Sequence, residues 1–160
     1  SLDDYAIMGS ITTKAGYPGE TVTLLEHGRQ PGLVQPGDKA GAQHAAARAK
    51  VPGDKASLPA FEKQAMARKT GDYDIKVAET YYGYGNFVAA ESAASRAISK
   101  GGLKDPSEGP MVLGMAQVAQ GKNADAAATF AKVSGANDQK IAHLWTLYAQ
   151  RKYGAAPATH

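Results

Sequence analysis

The sequence predicts an all-α protein built from short helix hairpins. Alanine is abundant along the whole chain of 160 residues, whereas aromatic residues make up only 8%. Alanine has the highest intrinsic helix propensity, and the β-branched and aromatic residues that favour strands are sparse. Apolar residues recur at three- and four-residue steps in segments of about a dozen residues, bounded by Gly, Pro, Asn or Asp. Such segments are typical of short, closely packed helices.

Composition narrows the classes of partner. With 43% apolar and 21% charged residues, the chain has the balance of a folded protein, and its length predicts a single domain over residues 1–160. The formal charge of +3 comes from scattered Lys and Arg, without the cluster that neutralises several phosphates, so we expect no nucleic-acid partner. No stretch approaches the roughly 20 apolar residues that span a bilayer, and we expect no membrane insertion.

The start of the chain and its composition bear on its origin. Ser1 is not preceded by Met and does not open a signal-like segment, so we expect a fragment or a processed form of a longer protein. The Ala- and Gly-rich composition without cysteine resembles that of bacterial proteins from high-GC genomes, which are often exported. It leaves the bacterial cytoplasm and the periplasm open and slightly favours the periplasm.

An internal repeat organises the chain. Residues 15–20 (AGYPGE) align with residues 49–54 (AKVPGD) at a displacement of 34 residues. Gly85 and Gly121 stand at two further turns between apolar-periodic segments. The third and fourth hairpins are the clearest, and their apolar positions are Ile75, Ala78 and Tyr82, then Phe87, Ala90, Ala94, Ala97 and Ile98, then Leu113 and Ala116, and then Ala127, Phe130 and Val133.

These landmarks resemble the signature of the tetratricopeptide-repeat (TPR) family. Matching positions in the third and fourth hairpins are Val77, Ala78, Tyr81, Gly85, Phe87, Ala90 and Ala97, and Leu113, Gly114, Gly121, Ala126 and Phe130. Met8, Gly9, Gly16 and Leu25 match more thinly. The resemblance implies a right-handed superhelical stack of about four antiparallel hairpins, closed by a C-terminal capping helix.

The second hairpin departs from the pattern. Gln43 stands where a small residue is expected, and Pro59 falls where the second helix should run. Because Pro inside a helix costs about 3 kcal/mol, we expect a loop over residues 51–56 and a helix that begins near Ser57, capped by its hydroxyl.

The C-terminal segment predicts the capping helix. Ile141, Leu144, Trp145 and Tyr148 lie on one helical stripe, which we expect to close the apolar end of the stack with Trp145 as its anchor. Asp138 near the start and two basic residues near the end suit the helix dipole.

The sequence holds no constellation that indicates catalysis. The four histidines do not fall at metal or triad spacing, and we expect His27 and His44 to face solvent. There is no phosphate-binding Gly-rich loop and no nucleophile elbow. We therefore predict a protein that is not an enzyme and that carries no catalytic residue, cofactor or metal.

The resemblance implies a concave groove lined by the first helix of each hairpin. The groove-facing candidates are Ser10, Thr13, Ile75, Glu79, Tyr82, Met111, Met115 and Val118. The matching positions lack the Lys, Arg and Asn set that clamps a carboxylate, so a partner helix or an apolar peptide is favoured. The alternative for Met111, Met115 and Val118 is packing against the final helix.

Two classes of function follow. The first is a protein interaction scaffold, such as an adaptor or assembly factor in a bacterial complex. The alternative is an accessory domain that positions an enzyme or a transport or secretion machine whose active part lies outside this chain. Self-association through the open N-terminal end of the stack is a third class.

Overall fold

A computed structural model of the protein describes residues 1–153. Within this range the chain forms helices and no strand, which confirms the all-α prediction. The helices are α1 (Leu2–Ala15), α2 (Pro18–Arg29), α3 (Lys39–Ala67), α4 (Asp72–Gly83), α5 (Phe87–Lys100), α6 (Glu108–Ala119), α7 (Asn123–Phe130) and α8 (Ala136–Tyr153). They group into two compact units that divide within α3, after Phe61. The prediction of one repeat domain over residues 1–160 stays a prediction.

The first unit contains the hairpin of α1 and α2 and most of α3. Gly16 ends α1 with a left-handed backbone, and Pro18 opens α2 two residues later, which makes the turn tight. Leu25 is fully buried against Ala6, Val34 and Ala40. Small residues on α1 let α2 approach closely enough to bury this one large side chain.

The second unit contains α4 to α8, in which each helix packs against the next. Helix α6 also contacts both α4 and α8. The turns after α4 and α6 hold Gly85 and Gly121 at φ 74° and 75°, where other residues would be strained. One apolar cluster joins the last three helices, and its buried members are Val118, Ala126, Phe130, Val133, Ala142 and Ala149.

Helix α3 is longer than expected. The predicted loop over residues 51–56 and the predicted helix start near Ser57 are both wrong, because α3 continues through Pro52 and Pro59. The Ser57 hydroxyl does not cap a helix start. It donates a hydrogen bond of 2.9 Å to the carbonyl oxygen of Asp54, one turn earlier in the same helix.

The positions of the two prolines explain why the helix tolerates them. Each proline removes one backbone donor, so the carbonyl groups of Arg48 and Lys55 lose their helical partners. Both prolines and both of those residues are exposed, so water can satisfy the carbonyl oxygens. The alanine-rich segment around them supplies helix propensity that offsets part of the cost.

Helix α8 packs with a different face from the one expected. The prediction that the stripe of Ile141, Leu144 and Tyr148 closes the stack is wrong, since these side chains are 48%, 64% and 46% exposed. The helix instead turns Ala142 and Ala149 into the cluster of the last three helices. Alanine allows a shorter distance between helix axes than large side chains do. Helix α8 therefore packs through its alanines, and its large apolar residues remain exposed.

Trp145 is the one member of that stripe that packs against the cluster. It lies at the border between the two faces and is partly buried there. Its ring also meets Tyr148 edge to face at a centroid distance of 5.6 Å. Trp145 therefore contributes to the attachment of α8, as expected of an anchor, while its neighbours remain exposed.

Gly114 tests the contact between α6 and α7. A methyl group at this position would lie 2.5 Å from the Phe130 ring, so we expect Gly114→Ala to destabilise the protein by about 1 to 3 kcal/mol. Gly53→Ala is the matched control, because Gly53 lies inside α3 with nothing within 4 Å of an added methyl. The control should be neutral or stabilising by up to about 1 kcal/mol. Equal melting temperatures for both variants would contradict the packing of α6 on α7.

Candidate functional site

The first unit contains a groove between α1 and α3. It has a volume of about 500 Å³. Thr13 and the turn residues Gly16 and Pro18 form one side. The other side is the face of α3 formed by Gln43, Ala46, Ala47, Ala49, Lys50, Gly53, Asp54 and Ser57.

The groove exists because α3 carries small residues where it faces α1. Alanine and glycine side chains leave space between the two helices that larger residues would fill. Gln43 fixes the approach at one end, since its Nε2 donates to the Ser10 hydroxyl at 2.8 Å and to the Ala6 carbonyl at 3.2 Å. Gly9 makes room for the amide of Gln43, because a Cβ there would lie 2.8 Å from its Oε1.

The polar groups of the groove are few and of mixed sign. Lys50 and Asp54 carry opposite charges one helical turn apart on α3. Thr13 is exposed and supplies a hydroxyl that can donate or accept. Mainly apolar walls with a small number of orienting polar groups are typical of sites that hold a ligand or a peptide segment.

His44 follows Gln43 on α3, and the prediction that its side chain faces solvent is wrong. It is 2% exposed, and its Nδ1 lies 3.1 Å from a terminal nitrogen of Arg29. Because a guanidinium can only donate, Nδ1 must accept, and the proton of a neutral His44 sits on Nε2. That nitrogen faces Glu26 Oε1 at 3.4 Å. Three polar side chains thus tie α2 to α3.

The candidate groove residues divide between the two units. Ser10 and Thr13 belong to the first unit, and of these Thr13 lines the groove while Ser10 binds Gln43 at its end. The remaining six belong to the second unit. Ile75 and Val118 are only 2% and 1% exposed, so they are core residues with almost no surface to offer a partner.

The other four candidates of the second unit are partly buried. Met111 and Met115 pack against the cluster that includes α8, which agrees with the alternative of packing on the final helix. The rings of Tyr82 and Phe87 meet at a centroid distance of 5.4 Å, across the turn that follows α4. The role of these residues in partner binding stays a prediction.

Glu79 lies beside the start of α6. Burial raises the pKa of Glu108 above its ordinary value, and the negative charge of Glu79 raises it further. Asp105 and Asp72 add to the same effect, whereas Lys76 opposes it. This end of the contact between α4 and α6 is therefore acidic.

A buried ionic network joins the end of α3 to α4 and α5. Asp74 has no exposed surface and accepts hydrogen bonds from Arg96 Nε at 2.9 Å and from Lys100 Nζ at 2.6 Å. Arg96 also donates to Glu62 Oε1 at 2.9 Å, and the other oxygen of Glu62 accepts from the Tyr81 hydroxyl at 2.6 Å. Sequence reasoning missed this network, because charges this far apart in the chain show no spacing pattern.

The pairing of its charges indicates that this network stabilises the packing of the helices. Each charge has an opposite partner, and Lys100 also donates to the carbonyl of Ala65 at 2.9 Å, the last turn of α3. The described residues hold no group of three acidic or histidine side chains that could bind a metal ion. In the same part of the chain, no helix is both long enough and apolar enough to cross a bilayer.

Neither a family model, nor a curated protein, nor a solved structure matches the chain. The resemblance to helical-hairpin repeats therefore rests on the residues and on the helix contacts described above.

Removal of Asp74 should be costly. We expect Asp74→Ala to lower the free energy of unfolding by about 3 to 5 kcal/mol, because Arg96 and Lys100 would keep their charges at a site that lacks its anion. Asp125→Ala is the control, since Asp125 is an exposed carboxylate in the first turn of α7, worth about 1 kcal/mol or less. Chemical denaturation measures both. A cost for Asp74→Ala no greater than for the control would show that the network does not hold these helices together.

Tyr81 provides a pH signature of the same network. Burial and the hydrogen bond to Glu62 raise the pKa of Tyr81 to about 12. A group whose pKa is raised in the folded state contributes stability below its unfolded pKa, near 10, and loses it as the pH rises towards 12. In spectrophotometric titration we expect a late phenolate step that Tyr81→Phe removes. A step that persists in Tyr81→Phe would assign the late titration to another tyrosine.

Proposed function

We propose that the chain is a protein interaction module, without catalytic activity of its own, that holds an extended peptide segment in the groove between α1 and α3. The observation that carries this proposal is the groove itself, with a volume of about 500 Å³ and walls of small residues. Its volume falls within the roughly 300 to 1,000 Å³ range of pockets that bind small ligands.

The walls suggest the chemistry of the peptide. Ala46, Ala47 and Ala49 offer a shallow apolar floor that suits small or medium apolar side chains. The Lys50 ammonium and the Thr13 hydroxyl can donate hydrogen bonds to peptide carbonyl groups along the rim. Only Asp54 brings a negative charge, so we expect a peptide that is largely apolar and close to neutral.

The position of the groove agrees with the TPR-like architecture that we also propose, a right-handed stack of hairpins. In proteins of that kind, the first helices of successive hairpins line the ligand groove. Here α1 is the first helix of a hairpin, and the part of α3 that follows α2 stands where the next first helix is expected. Contacts of α6 with α4, α5, α7 and α8 in the second unit suit the same scheme.

A library experiment tests the groove. Random peptides displayed on phage are selected against the whole chain and then measured by titration against two variants of α3. Ala46→Trp fills the groove, whereas Ala45→Trp adds the same side chain at the neighbouring exposed position outside its lining. We expect selected peptides to bind Ala46→Trp at least about tenfold more weakly and to bind Ala45→Trp as they bind the parent.

Two outcomes would reject the proposal. One is that no peptide is enriched after selection against the folded chain. The other is that enriched peptides bind Ala46→Trp and the parent equally. In the second case, loss of binding on substitution of Glu79, Tyr82 and Met115 by Ala would place the site in the second unit.

A further inference from the structure

Helix α1 carries an apolar patch on the side that faces away from its core. Ile7, Met8 and Ile11 are 60%, 48% and 62% exposed. The buried residues of the same helix, Ala6 and Gly9, lie on its opposite side. Single exposed apolar residues are ordinary, but three large ones side by side on a short helix mark a surface that binds another protein.

A charged residue stands at each end of this patch. Positions 4, 7, 11 and 14 follow steps of three, four and three residues and so lie on one face, the α1 stripe. Asp4 begins the stripe and Lys14 ends it, and both are exposed. Asp4 accepts hydrogen bonds from Ser1 through its Oδ2, and its side chain remains 70% exposed. The stripe therefore reads acidic, apolar, apolar, basic.

Two copies of the α1 stripe are complementary when their helices run antiparallel. This pairing sets Asp4 of one copy opposite Lys14 of the other, and Ile7 opposite Ile11. A two-fold axis between the copies repeats both contacts. Every layer joins an a position to a d position, as in an antiparallel coiled coil, so the charged pairs lie in the same layers as the isoleucines. The two Met8 side chains flank the axis on one side of these layers.

The charges select the antiparallel direction. A parallel pair in register would set Asp4 opposite Asp4 and Lys14 opposite Lys14, so both ends would repel. Antiparallel helices also place the N-terminus of each α1 beside the C-terminus of the other, which brings opposite ends of the two helix dipoles together. Direction and register therefore follow from the same residues.

The exposed stripe of α8 is a poorer partner for this surface. It has the same spacing and consists of Ile141, Leu144, Tyr148 and Arg151. In an antiparallel pair of α1 with α8, Lys14 falls opposite Ile141 and gains no anion. Two copies of the α8 stripe bring no acidic residue to pair with Arg151. Of these three pairings, only α1 with α1 gives each charge on the stripes an opposite charge in its own layer.

We propose that the chain forms a two-fold symmetric dimer in which the α1 stripes of two copies pack antiparallel. The contact joins a surface to itself, so it closes at two copies. Four layers of a helix pair are a small contact compared with the roughly 1,200 to 2,000 Å² of a stable interface, so the dimer is weak and depends on concentration. Its exposed ion pairs make it weaker in high salt.

Sedimentation over a range of concentrations tests the dimer. We expect the parent chain to shift from monomer to dimer as its concentration rises. Ile7→Lys places a charge in the apolar layers and should weaken dimerisation by about tenfold or more. Leu144→Lys is the matched control, since Leu144 is 64% exposed on α8, outside the α1 stripe, and should dimerise like the parent. Lysine favours helices, so both variants should keep the circular dichroism of the parent.

A disulfide experiment tests the register. The chain contains no cysteine, so introduced thiols are the only ones present. Ile7→Cys and Ile11→Cys, carrying tags of different size, are mixed and oxidised, and we expect a disulfide between the two variants because positions 7 and 11 share a layer. In each variant alone the two thiols are displaced by about 6 Å along the helix axes. Because a disulfide needs Cα atoms within roughly 7 Å, each should cross-link with itself at least about tenfold more slowly.

Several outcomes overturn the proposal. A parent chain that stays monomeric at all concentrations removes the dimer, and an Ile7→Lys variant that dimerises like the parent removes α1 from the interface. Weakening by Leu144→Lys to the same extent assigns the contact to α8 instead. Self-cross-linking of either cysteine variant as fast as the mixture rejects the antiparallel register. Peptide binding in the groove is measured separately at Ala46 on α3, so neither result decides the other.

Discussion

The structure depends on close contact between helices whose facing residues are small. Most of the buried apolar residues in the described part of the chain are alanines, and the larger ones are single residues such as Leu25 and Phe130. Where glycine faces a neighbour, even a methyl group would collide, as at Gly71 against the backbone of Ala97 and at Gly114 against Phe130. Such contacts maximise dispersion attraction along the backbone but bury little apolar area for each residue.

Because this core buries little apolar area, polar contacts also contribute to the stability of the helix packing. Near α3, α4 and α5 the buried Asp74 is satisfied by Arg96 and Lys100, and the chain from Glu62 to Tyr81 extends the network. Buried ion pairs add little net stability compared with apolar packing, yet they penalise every arrangement in which one partner is missing. Helices with similar alanine faces could pack in several registers, so the network is well placed to select one of them.

The sequence predicts α4 to α7 well because glycine turns and apolar periodicity agree there. It fails at α3, where two prolines indicate a loop and only the solvent exposure of Arg48 and Lys55 makes a continuous helix tolerable. It also fails at α8, since periodicity identifies a stripe but not whether alanines or large residues face the core.

Only one side of the groove could be predicted from the sequence. Thr13 follows from the repeat pattern, whereas the α3 wall depends on a helix that the prolines conceal.

Helix α1 illustrates how one short helix presents three different faces. Its Ala6 and Gly9 face the core, its Thr13 turns towards the groove, and its Ile7 and Ile11 point to solvent. Successive residues of a helix are separated by about 100°, so these positions occupy different faces although they are neighbours in sequence. The side chain of α1 that lines the groove is therefore separate from those that pack in the core and from the exposed isoleucines, so a change at one of these faces leaves the other two intact.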